Sequence, residues 1–343
     1  VSVLLVRPRA TGGLAAHVDQ ERELLRAAGL DVTESAARIQ ERPAPRADLA
    51  SWRTLRREMR TAARPLGVHA HGLRAGALAA LARPRRDRRV RLVVTLHNRT
   101  LGSLPVRAIG ALLLRILARG ADTVLAVSPD LAEQAHRAGA RDVRHAVIPA
   151  PPAAGVPDPV PPEAEPLDPG PLRVLVLARL APQKGLENLL DAAALLEPGQ
   201  VRIEVAGEGP LRSALQDRID AERLPVTLLG HRADVPALLA DAQLVVSAAR
   251  WEGQPVGLQE ALRAGRAVVA TDAGGTRWVT GAAATLVPVG DPSGLAAAIV
   301  AQRDPVHRRR AERAARERAL TLPDATDLTA QLVDLLAPTG VRW

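Results

Sequence analysis

Short apolar runs recur along the chain, each followed by a longer stretch whose apolar residues return at helical spacing, and this alternation narrows the fold more than any other feature. Repeated strand-then-helix units build parallel sheets, because parallel neighbours need a crossover and a helix is the usual one. The runs fall at 1–6, 67–70, 91–96, 123–127 and 144–148, then at 172–178, 202–206, 226–229, 244–247, 267–271 and 285–289. Between the two series, ten of the 23 residues from Pro149 to Pro171 are proline, a composition that forms no core and reads as an extended linker. The expectation is an α/β protein of two doubly wound domains over residues 1–150 and 172–322, joined by a Pro-rich linker at 151–171. A terminal helical segment occupies 323–343, its helix opening at Pro323 and Asp324.

With 343 residues and 47% of them hydrophobic, each domain has material for its own core. The absence of cysteine closes disulfides, zinc knuckles, iron–sulfur clusters and thiolate nucleophiles. Tyr and Phe are absent too, which argues against an aromatic platform for single-stranded nucleic acid. No run is long and apolar enough for a membrane span and the first residues lack a signal-peptide layout, so a cytoplasmic protein is expected. The net charge of +9 is uneven: residues 1–150 carry +13 and the remainder −4. Either the first domain faces something anionic, or arginine-rich composition has simply filled its surface.

Sites in doubly wound domains gather at the carboxyl ends of the strands, around a shared cleft when two such domains are joined. After the first run of the second series comes Ala178-Arg179-Leu180-Ala181-Pro182-Gln183-Lys184-Gly185, ahead of a helix expected from Leu186 to Leu196. Two cations five residues apart beside a helix N-terminus suit a diphosphate. Lys184 is also the only lysine among 46 basic residues, and a compact ammonium is not interchangeable with a planar guanidinium. After Ser247 comes the segment Trp251 to Gly265, with Glu252 before a helix, Glu260 inside it and Gly265 ending it. Carboxylates accept hydrogen bonds only, so this pair suits vicinal hydroxyls of sugar or ribose; an acid/base couple for glycoside hydrolysis, or two surface charges, fits the spacing equally.

In the first domain the opening strand leads into Thr11-Gly12-Gly13-Leu14-Ala15-Ala16-His17, a glycine turn that is not G-x-G-x-x-G. His69-Ala70-His71-Gly72 and Thr95-Leu96-His97-Asn98 both stand at strand ends, and His71, nearer the carboxyl end than His69, is favoured for the cleft. No third ligand beside these histidines argues for a metal.

Taken together these segments resemble glycosyltransferase family 4, retaining enzymes of the GT-B fold with two Rossmann-like domains. The likeness is carried by Gly12-Gly13 with His17, His69 to Gly72, Thr95 to His97, Ser128, Arg179 to Gly185, Gly207 to Leu211, Glu252 to Gly265 and Gly274-Gly275, and runs over most of the chain. The resemblance implies a first domain for the acceptor, a second for a nucleotide-sugar donor, and a terminal helix crossing back to the first. It implies that Arg179 and Lys184 hold the donor diphosphate, Glu252 the transferred sugar and Glu260 the ribose, with Gly253, Val256, Gly257 and Leu258 lining the donor. Gly12 and Gly13 would line the diphosphate, His71 would stand beside the reacting carbon, and His17 and His97 would lie on the acceptor side. His71, Arg179, Lys184 and Glu252 are then the catalytic set. The donor would be a UDP- or GDP-linked sugar, a substrate rather than a cofactor, and transfer would need no metal; the chain has no Asp-x-Asp pair. A departure is Trp278, near where the family often has Glu.

Two arginine-rich stretches bear on the acceptor. Trp52, Leu55 and Met59 recur at helical spacing among arginines in 52–64, as do Ile109, Leu112, Leu113, Ile116 and Leu117 in 105–119. Such helices pack one face on a core or lie on anionic lipid, so an anionic or lipid-linked acceptor and peripheral contact with the inner face of the cell membrane enter the expectation. The competing readings are a catalytically inactive GT-B protein binding polyanions or partners, which need not have kept both cations and both carboxylates, and a nucleotide-sugar epimerase. Nucleic-acid binding rests on charge alone and is not expected.

Overall fold

A computed structural model describes residues 1–9, 13–40, 44–84, 87–100, 103–150 and 170–337. The chain divides into two compact units, Val1–Ile148 with Pro323–Trp343, and Pro149–Leu322. All but the last two residues of the Pro-rich stretch 151–171, and Gly12 of the glycine turn, lie outside the described residues.

The first unit carries strands β1 (Ser2–Val6), β2 (Asp31–Glu34), β3 (Leu66–His71), β4 (Val90–Leu96), β5 (Thr123–Ala126) and β6 (Val143–His145) in one sheet of order β2-β1-β3-β4-β5-β6. Every pairing in it is parallel. β3 is buried along its whole length, as a parallel strand covered by helices on both faces should be. Helices α1 (Gly13–Ala27), α2 (Pro45–Thr61), α3 (Leu73–Ala82), α4 (Leu104–Gly120) and α5 (Pro129–Ala138) make the crossovers. The arginine-rich helix α2 is an ordinary packing helix, with Leu55 and Met59 completely buried on one face.

The second unit repeats the plan with β7 (Leu172–Leu177), β8 (Val201–Ala206), β9 (Val226–Gly230), β10 (Leu244–Ser247), β11 (Ala267–Thr271) and β12 (Thr285–Val287), ordered β12-β11-β10-β7-β8-β9. Alternation along β7 sends Val174 and Val176 into one apolar core and Leu175 into the other, one on each face of the sheet. Its helices are α6 (Leu186–Ala193), α7 (Arg212–Glu222), α8 (Val235–Asp241), α9 (Val256–Arg263), α10 (Thr276–Thr280), α11 (Pro292–Ala301) and α12 (Pro305–Ala319).

The last helix, α13 (Ala325–Leu336), belongs to the first unit, where it packs on α1, β3 and β4. Asp324 caps it by accepting from the backbone N–H groups of Thr326 (2.7 Å) and Asp327 (3.0 Å), while Asp327 reaches back to the Asp324 N–H, a reciprocal capping box. Buried Leu328, Leu332, Leu335 and Leu336 hold the helix down, and Gly67 lets it approach, since a Cβ there would fall 2.7 Å from the Leu336 carbonyl oxygen. The two sheets are Rossmann-like and the architecture is GT-B.

Candidate active site

In each sheet the chain winds outward in one direction, then returns to wind the other way, which leaves a crevice at the carboxyl ends of the two strands where it turns. The turning point lies between β7 and β10 in the second unit and between β1 and β3 in the first. Both sets of residues singled out in the sequence fall there.

In the second unit the segment after β7 forms a 3₁₀ turn at Pro182–Lys184 and enters α6 through Gly185, which is left-handed at φ +60°. A Cβ on Gly185 would stand 2.0 Å from the Ala248 carbonyl oxygen, so only glycine lets this loop lie against the loop after β10. The Arg250 N–H donates to the Gln183 carbonyl at 2.9 Å across the same seam. From the other side Gly274, at φ +56°, is pressed against the Glu252 carbonyl oxygen, which accepts from the Gly275 N–H at 2.9 Å. The backbone around Glu252 is thus clamped between two loops.

The clamp brings Lys184 Nζ to 2.5 Å from Glu252 Oε1, with side-chain exposures of 23% and 12%. The two residues line a cavity of about 230 Å³ together with Ser247, Gln254, Gly257 and Leu258 at the start of α9. Gly253 lies half-buried in the loop before α9, and Val256 lines the cavity as the first residue of that helix. Arg179 is exposed and its guanidinium engages no partner among the described residues. Glu260 lies further along α9, half-buried and outside that cavity lining; burial pushes its carboxyl up, against the pull of Arg263. Trp278 is half-buried in α10, where its carbonyl accepts from Arg318 at 2.7 Å.

The first unit holds a cluster of four histidines and one carboxylate. His69 Nδ1 faces Glu21 Oε1 at 2.6 Å and His69 Nε2 faces Thr95 Oγ1 at 2.7 Å. His71 Nε2 lies 3.2 Å from Glu21 Oε2, and His71 Nδ1 lies 3.2 Å from His97 Nε2. The His17 ring stands edge-on to both His71 and His97, with centroids 6.0 and 5.9 Å away. Burial, with His69 nearby, pushes His71 down to about 4 against the attraction of Glu21; burial likewise lowers His17 and His97. Burial alone would raise the Glu21 carboxyl, but attraction and hydrogen bonds from His69 and His71 outweigh it and hold Glu21 well below the usual carboxylate range.

The sequence reading placed His71 against the donor sugar. In the structure His71 is fully enclosed, with both ring nitrogens facing neighbours, and His97 is the part-exposed member of the cluster. His17 is nine-tenths buried and Gly13 opens α1. Glu21 was missed. Its signal was available: Val18, Glu21 and Leu25 form the buried stripe of α1, and a carboxylate in an apolar stripe needs a partner.

Two family models divide the chain between them: a glycosyl transferase 4-like domain matches residues 1–151 and a glycosyl transferases group 1 domain matches residues 171–302. The chain belongs to the GT-B glycosyltransferases. Among curated proteins it is 31% identical over 100 residues to a poly(ribitol-phosphate) alpha-N-acetylglucosaminyltransferase of Staphylococcus aureus, a match spanning 28% of this chain and 20% of that protein. The chain therefore spans about a fifth of that relative's length. Among solved structures, sucrose-phosphate synthase from Thermosynechococcus elongatus superposes with a TM-score of 0.77 at 19% identity, over 97% of this chain and 98% of that one. HepE of Anabaena, solved with UDP and glucose, superposes with a TM-score of 0.71 at 21% identity, over 97% and 98%. These likenesses establish the shared fold of a GT-B glycosyltransferase.

Proposed function

We propose that this GT-B glycosyltransferase moves a sugar, with retention of anomeric configuration, from a nucleoside-diphosphate sugar bound by the second unit to a hydroxyl acceptor. The observation that carries the reading is the pairing of the only lysine, Lys184, with Glu252 in a cavity at the turning point of the second sheet, beside the start of α9. Departure of a nucleoside diphosphate builds negative charge on the β-phosphate. Lys184 and the exposed guanidinium of Arg179 neutralise that charge, aided by the positive helix end. Glu252, acceptor-only, takes hydroxyls of the transferred sugar, and Glu260 those of the ribose. The leaving oxygen itself takes the acceptor's proton, so no protein nucleophile is needed. Gly12, Gly13, Gly253, Val256, Gly257 and Leu258 line the donor in this reading, and a UDP-linked sugar is favoured over GDP because HepE was solved with UDP.

In the first unit His97 is the histidine that meets substrate and His71 positions it through the 3.2 Å contact from behind. Alanine at His97 then lowers turnover with little effect on donor affinity. The test of the whole reading is the stereochemistry of donor hydrolysis in water, followed by proton NMR: retention requires the first-formed free sugar to keep the donor's anomeric configuration, and the opposite anomer would contradict it.

The charge of the first 150 residues supports an anionic acceptor, and the staphylococcal relative is named for a phosphate polymer. We place peripheral contact with an anionic membrane on α4 rather than α2. On α4, Leu104, Ile109 and Leu112 are 77%, 49% and 59% exposed, and Arg107, Arg115 and Arg119 flank them. Each arginine near an anionic surface contributes roughly 1 kcal/mol. Co-sedimentation with phosphatidylglycerol-containing vesicles, and its loss in Leu112→Asp, checks this; equal binding to neutral vesicles would remove the electrostatic part. Among the described residues no helix is long and apolar enough to cross a membrane.

A further inference from the structure

The Glu21 side chain is completely buried, and each of its oxygens faces a ring nitrogen. Oε1 stands 2.6 Å from His69 Nδ1, and Oε2 stands 3.2 Å from His71 Nε2. Attraction and hydrogen bonds from these two rings keep the carboxyl ionised in spite of its burial. An ionised carboxylate only accepts, so each nitrogen that faces it carries the proton. Without those two N–H groups Glu21 would be a buried charge with no donor, a state a folded interior does not keep. His69 is therefore protonated on Nδ1 and His71 on Nε2.

A neutral imidazole has one N–H and one lone pair. Burial, with His69 nearby, pushes His71 down to about 4 and so keeps it neutral, which leaves its Nδ1 bare. At 3.2 Å from that bare nitrogen lies His97 Nε2, which must donate to it. Burial holds His97 well below its ordinary value as well, so with the proton on Nε2 its own Nδ1 is bare in turn. The position of the proton thus passes from a carboxylate on α1, through a ring at the end of β3, to a ring just beyond β4. His69 makes no contrary demand, because its Nε2 lies 2.7 Å from the Thr95 hydroxyl, a group that donates or accepts as required.

The end of this chain of hydrogen bonds is the part that meets solvent. His17, His69 and His71 are buried and His97 is part-exposed. Among the described residues none engages His97 Nδ1. The His17 ring, one helical turn before Glu21, stands edge-on to both His71 and His97 with centroids 6.0 and 5.9 Å away, and so wedges the two rings in plane. A bare ring nitrogen accepts a hydrogen bond from a hydroxyl and repels the oxygens of a phosphate; an imidazolium would do the reverse. The point of contact is therefore selective for hydroxyl, although residues 1–150 around it carry +13.

We propose that Glu21 is a positioning residue: acting through His71, it holds His97 with its N–H turned inward and its Nδ1 bare, so that His97 accepts a hydrogen bond from a substrate hydroxyl and cannot donate one to an anionic group. Glu21 does not itself touch substrate, and no proton is transferred along the chain. Which hydroxyl His97 takes rests on the glycosyl-transfer reading, whereas the order of protons from Glu21 through His71 to His97 does not.

The test is a long-range proton–nitrogen NMR spectrum of the full chain carrying isotope-labelled histidine, in which bare and protonated ring nitrogens resonate far apart. The chain has 8 histidines, few enough for His71→Gln and His97→Gln to identify the two rings that matter. Near neutral pH the wild type should show both rings protonated on Nε2 and bare on Nδ1. Glu21→Leu removes the acceptor that sets the order and should release His97 into a mixture of both tautomers. Hydrolysis of UDP-glucose or UDP-N-acetylglucosamine by Glu21→Leu should slow roughly 5- to 12-fold, the loss of one oriented hydrogen bond, while the thermal shift given by UDP stays as in the wild type. Should Glu21→Leu fail to fold, the wild-type spectrum decides. A wild-type His71 or His97 protonated on Nδ1, or a His97 signal that Glu21→Leu leaves unchanged, overturns the proposal, and so does undiminished hydrolysis once the His97 signal has changed. The expected spectra in a chain that hydrolyses neither sugar nucleotide uphold the proton order and count against the glycosyl-transfer reading instead.

Discussion

Lys184 and Glu252 hold each other in the free chain, and this gives their substitutions opposite effects on nucleotide binding. Removing Lys184 strips the diphosphate of a charge-assisted contact worth about 1.5–3 kcal/mol, so Lys184→Met should weaken UDP binding roughly 10- to 150-fold. Removing the charge of Glu252 does the reverse. In the wild type the incoming diphosphate competes with the carboxylate for the ammonium and is repelled by it; with Glu252→Gln that competition ends. Releasing a pair that is 23% and 12% exposed is worth about 1 kcal/mol, which makes UDP bind roughly fivefold tighter while sugar transfer collapses. Stability follows a different order. Lys184→Met leaves a nearly buried carboxylate alone and should cost about 1–3 kcal/mol, between the values for surface and buried pairs, whereas the double variant recovers part of the loss. Isothermal titration calorimetry with UDP on the two single variants and the double variant, beside their melting curves, reads all of this. Unchanged UDP affinity in Lys184→Met, or weaker affinity in Glu252→Gln, would refute the reasoning.

Acidification tests the histidine cluster. His71 lies at about 4 in the fold against 6.5 unfolded, so the unfolded chain binds more protons between those values and stability must fall as pH drops through that window, by up to about 3 kcal/mol. Glu21, held low, acts in the same direction below its unfolded value of 4.5. The protein should melt progressively lower from pH 7 to pH 5, and a flat profile would count against the buried neutral imidazoles. Gly185→Ala places a Cβ 2.0 Å from the Ala248 carbonyl at a left-handed φ; it should displace the Lys184 loop and abolish nucleotide binding, seen as loss of any thermal shift with UDP. Asp324→Ala removes the α13 capping box and should cost about 1 kcal/mol, lowering the melting temperature by roughly 2–4 °C, with Asp324→Asn recovering most of it.

The parallel α/β plan was legible because buried strands such as Leu244–Ser247 and Ala267–Thr271 are continuous apolar runs bounded by polar loops. The missing strand, β2, is an edge strand of four residues with only Val32 buried, so it has no run to recognise. The residues at the turning point of the second sheet were legible through an unusual residue in an ordinary place, Lys184 among 45 arginines. Its pairing with Glu252, 68 residues away, was not: that contact is made by glycine-permitted loop approach, which leaves no periodicity. On α4 the amphipathic pattern was visible, yet pattern does not say how much of a face is covered: there Leu117 is buried while Leu104, Ile109 and Leu112 stay exposed, whereas Leu55 and Met59 of α2 are both buried. The histidine cluster was half legible. His69, His71 and His97 stand at strand ends, but Glu21, which organises them, comes from a helix on the far side of a glycine turn.

The central claim, that the second unit binds a nucleoside diphosphate through Arg179 and Lys184, is tested most directly by thermal shift of the purified chain against UDP, GDP, ADP and dTDP with chelator present. A ligand at 100 times its Kd stabilises by about 2.7 kcal/mol. The account predicts a clear shift with one of these nucleotides, UDP or GDP, that is lost in Lys184→Met. No shift with any of the four, or a shift that Lys184→Met retains in full, would contradict it.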